Sequence, residues 1–286
     1  MAQSLRQIKT RIRSIENTEK VTSAMQMVSS AKLNRMDHIL NMVRPYFGKM
    51  ESLINNLLAG AKEFKSPYIQ DHPIKTGHIC LCVIASDGGL CGVYNNNILR
   101  AADEFIRKCG EDKVDLVLVG KKGFSYFRKR ENLKIINSYI GLNGKYSETA
   151  AKQIFGQLSD IYLSGQADEV YIAYTHFVNA LTHKTKVEKF FSLVYGVGQA
   201  HDYIFDPSRD AILEKLIPVY IGAKFRLRLL EAFTSEHASR TVAMKMATEN
   251  AEDMLQNLTL LRNKVRQAKI TEEMLEIISS VEALKG

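Results

Sequence analysis

Residues 244–268 read MKMATENAEDMLQNLTLLRNKVRQA. Within them Met244, Ala247, Ala251, Met254, Leu258, Leu261, Val265 and Ala268 recur in steps of three and four. An unbroken 3.5-residue repeat over more than three heptads marks a helix that packs along another helix. No proline falls between Val219 and Lys285, and Gly222 is the only glycine there. Pro218 stands where a helix tolerates a missing N–H, so a single helix is expected over 218–284, about 100 Å long at 1.5 Å per residue. A chain of 286 residues builds no core that deep. The helix must therefore protrude, and its seam needs a partner.

The opening of the chain supplies a candidate. A first helix is predicted from Ser4 towards Leu58, about 80 Å by the same arithmetic. Its apolar positions are Leu5, Ile8, Ile12, Ile15, Val21, Met25, Val28, Met36, Ile39 and Val43, again in steps that alternate three and four. Pro45 is a possible bend, and Gly60 with Lys65, Ser66 and Pro67 a stop. At the far end, Ile270, Met274, Ile277, Val281 and Leu284 form a second apolar face beside Leu275 and Ile278. A helix end that is apolar on several sides is buried in something. The remaining sequence offers nothing to bury it, so a partner is expected.

Between the two helices the period changes. Strands are predicted over 78–85, 114–119, 135–139, 169–177 and 187–194, and helices over 95–108, 122–130 and 147–163, the last capped by Ser147. Alternating strands and helices imply a mainly parallel sheet covered on both faces, with the last two strands paired as a hairpin. The fold class is thus α/β plus coiled coil: two long terminal helices and an inserted Rossmann-like block. The expected divisions are 1–60, 75–200 and 210–286.

The net charge is +8, and residues 1–45 alone carry +5. A basic leading helix suits an acidic partner (nucleic acid, an anionic membrane or an acidic protein surface) or is simply a solvated face. The segment 1–13 is basic and amphipathic, without the apolar centre of a signal peptide, and the longest apolar run, 79–85, is too short to span a bilayer. Cys80 and Cys82 are two apart in a strand and so face one side. With Cys91 and Cys109 they make no zinc spacing, and reduced buried thiols in a reducing compartment are expected.

Candidate chemistry is sparse. Ser86-Asp87-Gly88-Gly89-Leu90-Cys91-Gly92 follows the first strand, where α/β folds place phosphate loops. It matches neither glycine-rich phosphate motif and places no lysine to reach phosphates, so it reads as a tight structural turn before it reads as a nucleotide site. Cys91 as a nucleophile needs an activating base. The seven histidines are scattered singly, and His237 beside Glu236 reads as a packed helical residue. Three functions stay open on motifs alone: a partner-bound shaft, an α/β nucleotide-binding enzyme with helical arms, and a coiled-coil nucleic-acid binder.

Longer motifs separate them. Leu5-Arg6-Gln7-Ile8-Lys9-Thr10-Arg11-Ile12, Asn17-Thr18-Glu19-Lys20-Val21-Thr22 and Ala24-Met25-Gln26-Met27-Val28-Ser29-Ser30-Ala31-Lys32 resemble the opening of the gamma subunits of F-type ATP synthases. The stretches 235–251 and 263–273, the loop 86–95 and the segment 202–207 resemble the same family, in the same order. This resemblance implies an antiparallel coiled coil turning inside a hexamer of alternating alpha and beta subunits, with the α/β block against the epsilon subunit and the c-subunit ring. It implies a rotor that couples hydrogen ion transport to ATP synthesis without a catalytic centre or cofactor of its own. It also implies a peripheral position on the cytoplasmic face of a bacterial inner membrane, with no nucleic acid and no direct membrane insertion. By the same resemblance Met25 and Met27 meet the beta-subunit levers, while Arg266, Gln267, Thr271 and Glu273 catch a beta-subunit loop. Three departures stand out: Gly88 where the family usually has a basic residue, Ser279-Ser280-Val281 at the tip in place of Ser-Gly-Ala, and no dithiol insert.

Overall fold

A computed structural model describes residues 5–59, 64, 66–68, 76–191 and 208–283. The predicted segment 202–207 and the end of the last predicted strand, 192–194, lie outside the described residues. The chain forms two compact units, Met1–Val28 with Thr241–Gly286, and Ser29–Arg240.

The larger unit is built on a five-stranded sheet: β1 Ile79–Ile84, β2 Val114–Val119, β3 Lys134–Tyr139, β4 Glu169–Phe177 and β5 His183–Lys189. Their order is β3-β2-β1-β4-β5. The first three pairings are parallel, and β4–β5 is an antiparallel hairpin, as the alternation of strands and helices predicts. β5 begins earlier than expected, at His183. The signal missed there is the alternation His183, Thr185, Val187 towards the protein against Lys184 and Lys186 towards water.

β2 is buried along its whole length, the near-continuous apolar run of a parallel strand covered on both faces. Cys80, Cys82 and Ile84 point to one side, with α4 (Glu148–Leu163) and the neighbouring parts of α1 (Leu5–Ala59) and α5 (Arg209–Ala283). Leu81 and Val83 point to the other, with α2 (Tyr94–Cys109) and α3 (Lys121–Phe127). Ser147 caps α4 by accepting from the Ala150 N–H. Phe47 stacks on Tyr220 at 5.3 Å, and Phe191 on Tyr162 at 4.6 Å, to close the first core.

Pro218 does not open the last helix. α5 begins at Arg209, and Pro218 lies inside it, as Pro45 lies inside α1. The cap is Ser208, whose Oγ accepts from Ala211 N at 3.3 Å and whose carbonyl accepts from Ile212 N at 3.1 Å. Asp210 in the first turn complements the helix dipole. Leu213 and Ile217 are fully buried, and that burial offsets the hydrogen bond Pro218 cannot donate.

In the smaller unit the seam differs from the predicted one. Leu5, Ile8, Ile12 and Ile15 face inward as expected, but Val21 and Val28 are 58% and 56% exposed, and Glu19, Thr22 and Gln26 are turned in instead. On α5, Met254 and Leu261 are exposed and Ala268 is open, while Thr248, Leu255 and Arg262 take the inward positions. The 3.5-residue period holds: Met244, Ala251, Leu258 and Val265 stay inward as predicted, and only the alternate positions of α5 move by one residue. The pair Thr22 Oγ1 and Thr248 Oγ1, 2.8 Å apart, sits in this seam. Apolar counting cannot see that bond, which requires both hydroxyls on the inner side.

The rotated seam makes a stability prediction. Ile12→Ala removes buried aliphatic surface and should cost about 2–5 kcal/mol. Val21→Ala should change stability by less than about 0.5 kcal/mol, because Val21 is turned out. Urea unfolding of the two variants side by side checks it, and equal losses would restore the unrotated seam.

Candidate functional site

Six residues were expected to bind a partner, and all lie in the smaller unit. Met25 is half-buried and Met27 is 68% exposed. Two positions apart on a helix, they point about 200° away from one another and meet different surroundings. Arg266, Gln267, Thr271 and Glu273 are all exposed. Arg266 and Glu273, seven apart, share one stripe of α5; Gln267 and Thr271, four apart, share the next. Thr271 Oγ1 donates to Gln267 O at 3.0 Å, and Glu273 pairs with Lys269 at 3.5 Å. The structure does not bring the methionines to the other four. Thr22 meets Thr248, and Arg266 lies about 27 Å further along α5. From residue 266 to 281 every position of α5 is exposed, on all sides.

The second candidate, the loop after β1, is held from within. Asp87 accepts three backbone N–H bonds, from Lys121 at 2.9 Å, Gly141 at 3.0 Å and Asn143 at 2.7 Å. One carboxylate thereby ties the loops that follow β1, β2 and β3. Ser86 Oγ lies 2.9 Å from Asn95 Oδ1, and Asn95 Nδ2 donates to Cys91 Sγ at 3.0 Å. The Cys91 thiol is pushed up by burial, which opposes the thiolate a nucleophile needs. Cys80 is pushed up to about 12, again chiefly by burial.

The strand order reverses between β1 and β4, the place where open α/β sheets bind ligands beyond the carboxyl ends of their strands. Here α5 occupies that place. Tyr94 OH donates to Ala232 O at 3.1 Å, Ser235 Oγ to Thr175 O at 3.2 Å, and Arg240 Nε to Gly89 O at 3.3 Å. The crevice that a nucleotide would use is filled by the chain's own helix.

On the same stretch sit Glu236, His237 and Arg240. Arg240 Nη2 bonds Glu236 Oε1 at 2.7 Å, and His237 Nε2 bonds Gly144 O at 2.9 Å. A carbonyl only accepts, so Nε2 carries the proton. Nδ1 is then the acceptor facing Arg240 Nη1 at 3.4 Å, and the ring is neutral. Burial pushes the His237 imidazole down to about 4, with Arg240 and Lys32 acting in the same sense. Burial pushes the Glu236 carboxyl up, against the pull of Arg240. Sequence reading placed His237 and Glu236 in packed surroundings but missed their partners. The usable signal was Asn143-Gly144 after Gly141, a turn built for positive φ: 87° at Gly141, 51° at Asn143 and 64° at Gly144.

Comparison with known proteins now decides between the readings. The chain matches the ATP synthase family over residues 4–284. It is 37% identical to the ATP synthase gamma chain of Protochlamydia amoebophila (strain UWE25) over 287 residues, covering 99% of both chains. It is 35% identical to the ATP synthase gamma chain of Geotalea uraniireducens (strain Rf4), again over 99% of both. The chain belongs to the ATP synthase gamma chain family. Among solved structures it superposes with TM-score 0.67 on a chain of the Euglena gracilis mitochondrial ATP synthase, described as OSCP/F1/c-ring in rotational state 3, at 15% identity over 98% of this chain and 94% of that one. That likeness is one of fold. Among the described residues, no helix is long and apolar enough to cross a membrane.

The neutral, depressed His237 sets a pH dependence. Unfolded, the imidazole takes a proton near 6.5; folded, it resists until about 4. Its contribution is therefore complete above pH 6.5 and is lost as pH falls through that window. Glu236, pushed up, titrates in the opposite sense. The stability gap between the native chain and His237→Gln should thus shrink by about 2–4 kcal/mol from pH 7 to pH 4. Urea titrations of both chains across this range measure it, and a gap independent of pH would contradict a neutral His237.

Proposed function

We propose that this chain is the central rotor shaft of an F-type ATP synthase, and that it turns without a catalytic centre of its own. The observation that carries this reading is the segment 266–281. There Ile270, Met274, Leu275, Ile277, Ile278 and Val281 are all exposed and together cover nearly half the circumference of one helix. Monomers seldom leave so much contiguous apolar surface to water, and an encircling partner covers it. The alpha/beta hexamer is that partner, with the N- and C-terminal helices paired inside it as an antiparallel coiled coil. The Rossmann-like block meets the epsilon subunit and the c-subunit ring at the cytoplasmic face of a bacterial inner membrane. The functional divisions are 1–60 and 210–286 for the shaft and 75–200 for the block. An asymmetric shaft sets the state of each beta subunit only through contacts that differ between its open and closed forms, and rotation moves those contacts from one subunit to the next. Ion flow through the ring is thereby coupled to ATP synthesis or hydrolysis.

The decisive experiment is affinity capture of the tagged chain from native membranes. Alpha, beta, epsilon and c subunits should elute with it in rotor stoichiometry, and a chain that elutes without them would end the proposal.

Within this reading Met25 and Met27 meet the beta-subunit levers, and Arg266, Gln267, Thr271 and Glu273 form the catch. Arg266 offers five fixed donors and Gln267 both a donor and an acceptor, on a stretch with no intramolecular surface to serve. Arg266→Ala and Gln267→Ala should leave the helix intact, since Ala is its best former. Each should lower coupled ATP synthesis by about ten- to a hundredfold, the equivalent of one hydrogen bond to a charged group. Subunit content and synthesis rates of the assembled variants check this, and normal rates with normal assembly would remove both residues from the catch.

A further inference from the structure

A rotor must not let its shaft slip inside the block that drives it. Helices packed only by apolar side chains resist separation better than they resist rotation about their own axes, because apolar contact is non-directional. Hydrogen bonds are directional, so a helix is keyed by polar bonds made off its axis. The stretch 229–239 of α5 is buried at all eleven positions and carries several such bonds. We propose that the insertion of His237 into the Gly144 cradle is a rotational key, fixing the azimuth of α5 within the α/β unit so that torque passes into the helix without slip; this rests on the rotor reading.

The cradle is rigid for stated reasons. Asp87 holds Gly141 N and Asn143 N with both carboxylate oxygens and fastens the same turn to Lys121 N. The turn has left-handed backbone at Gly141, Asn143 and Gly144, which glycine and asparagine adopt at little cost, and the Asp87 bonds hold it there. Gly144 is required twice over. Its φ is +64°, and a Cβ there would stand 2.6 Å from His237 Nε2 and 3.2 Å from Glu236 Oε2. The imidazole thus enters as deeply as a backbone allows and bonds the Gly144 carbonyl at 2.9 Å. Arg240, one turn on, grips Gly89 O and holds Glu236, whose buried Oε2 faces the cradle wall. A turn of the helix by one residue sweeps these side chains through about 100° and breaks all of these bonds together. His237 is a positioning residue: it touches no nucleotide and acts through the orientation of α5.

The test uses the assembled ATP synthase with its hexamer fixed to a surface and a gold rod on the c ring. The readout is the angular spread of the rod while the enzyme waits for ATP. His237→Gln keeps a side-chain N–H of similar reach, and His237→Asn has the same chemistry but is one methylene shorter. Loss of one ordinary hydrogen bond should raise the population of slipped orientations by about two- to tenfold. The spread should widen for His237→Asn and His237→Ala and keep its native width for His237→Gln. If His237→Ala does not assemble, the Asn–Gln pair still decides. Equal spreads in that pair would overturn the key while leaving the rotor reading intact. A native complex whose rod does not rotate would instead overturn the rotor reading itself.

Discussion

Between residues 229 and 239 the backbone of α5 is enclosed on every face, and no polar group there is satisfied by bulk water. Six of those eleven residues are polar: Glu231, Thr234, Ser235, Glu236, His237 and Ser239. Burial without a partner costs each of them a few kcal/mol; Thr234 and Glu236 find theirs on α5 itself, at Leu230 O and Arg240, and the surrounding elements supply the others. Glu231 meets Arg44 at 3.1 Å, His176 at 2.9 Å and Arg228 at 3.4 Å. Ser235 reaches a β4 carbonyl, His237 a loop carbonyl, and Ser239 lies 2.8 Å from His183 Nε2. α1, α2, β4, β5 and the loop after β3 each contribute a partner to one helical stretch. Such a set has one solution in rotation and translation, which apolar packing alone does not guarantee.

The same helix shows the opposite arrangement in the smaller unit. The polar and apolar roles are exchanged: Glu and His are buried at 236 and 237 in the larger unit, while Ile, Met and Leu are exposed from 270 onwards in the smaller one. The hydrophobic effect favours neither choice in an isolated chain. The first requires fully partnered polar groups inside. The second requires a partner outside, which the proposed rotor reading supplies as the hexamer.

Much of this was legible in the sequence, for identifiable reasons. The strands β1, β2 and β4 are short apolar runs between turn residues, and the parallel pairings and closing hairpin follow from strand–helix alternation, whereas the order of the strands was not read. The long helices announced themselves by period. What escaped was information carried by single polar atoms. Ser208, not Pro218, starts α5, because a capping hydroxyl outweighs a proline whose lost bond is offset by burial of Leu213 and Ile217. Asp87 looked like part of a possible phosphate loop. Its role emerged only when three N–H groups, 34 to 56 residues away in the chain, converged on it. His237 was read as a packed residue, but its bond to Gly144 spans 93 residues, so the glycine turn marked a positive-φ site without naming the side chain that fills it.

The seam of the smaller unit shows most clearly why counting apolar residues misleads here. The most apolar choice would place Val21 and Val28 on α1, and Met254 and Leu261 on α5, against each other. The structure turns those four out and puts Glu19, Thr22, Gln26, Thr248 and Arg262 in. Polar residues at inward positions weaken a helix pair but set its register and partner, because each mispaired alternative buries an unsatisfied group. The Thr22–Thr248 contact is such a device. The apolar residues displaced by it form stripes on the outside, alongside Met27, Met246 and Leu260, which are also exposed. A chain selected for its own stability would have exchanged the two sets. A chain whose outer surface must slide against, and be read by, an encircling partner keeps its apolar groups outside and holds its own helices in register with hydroxyls.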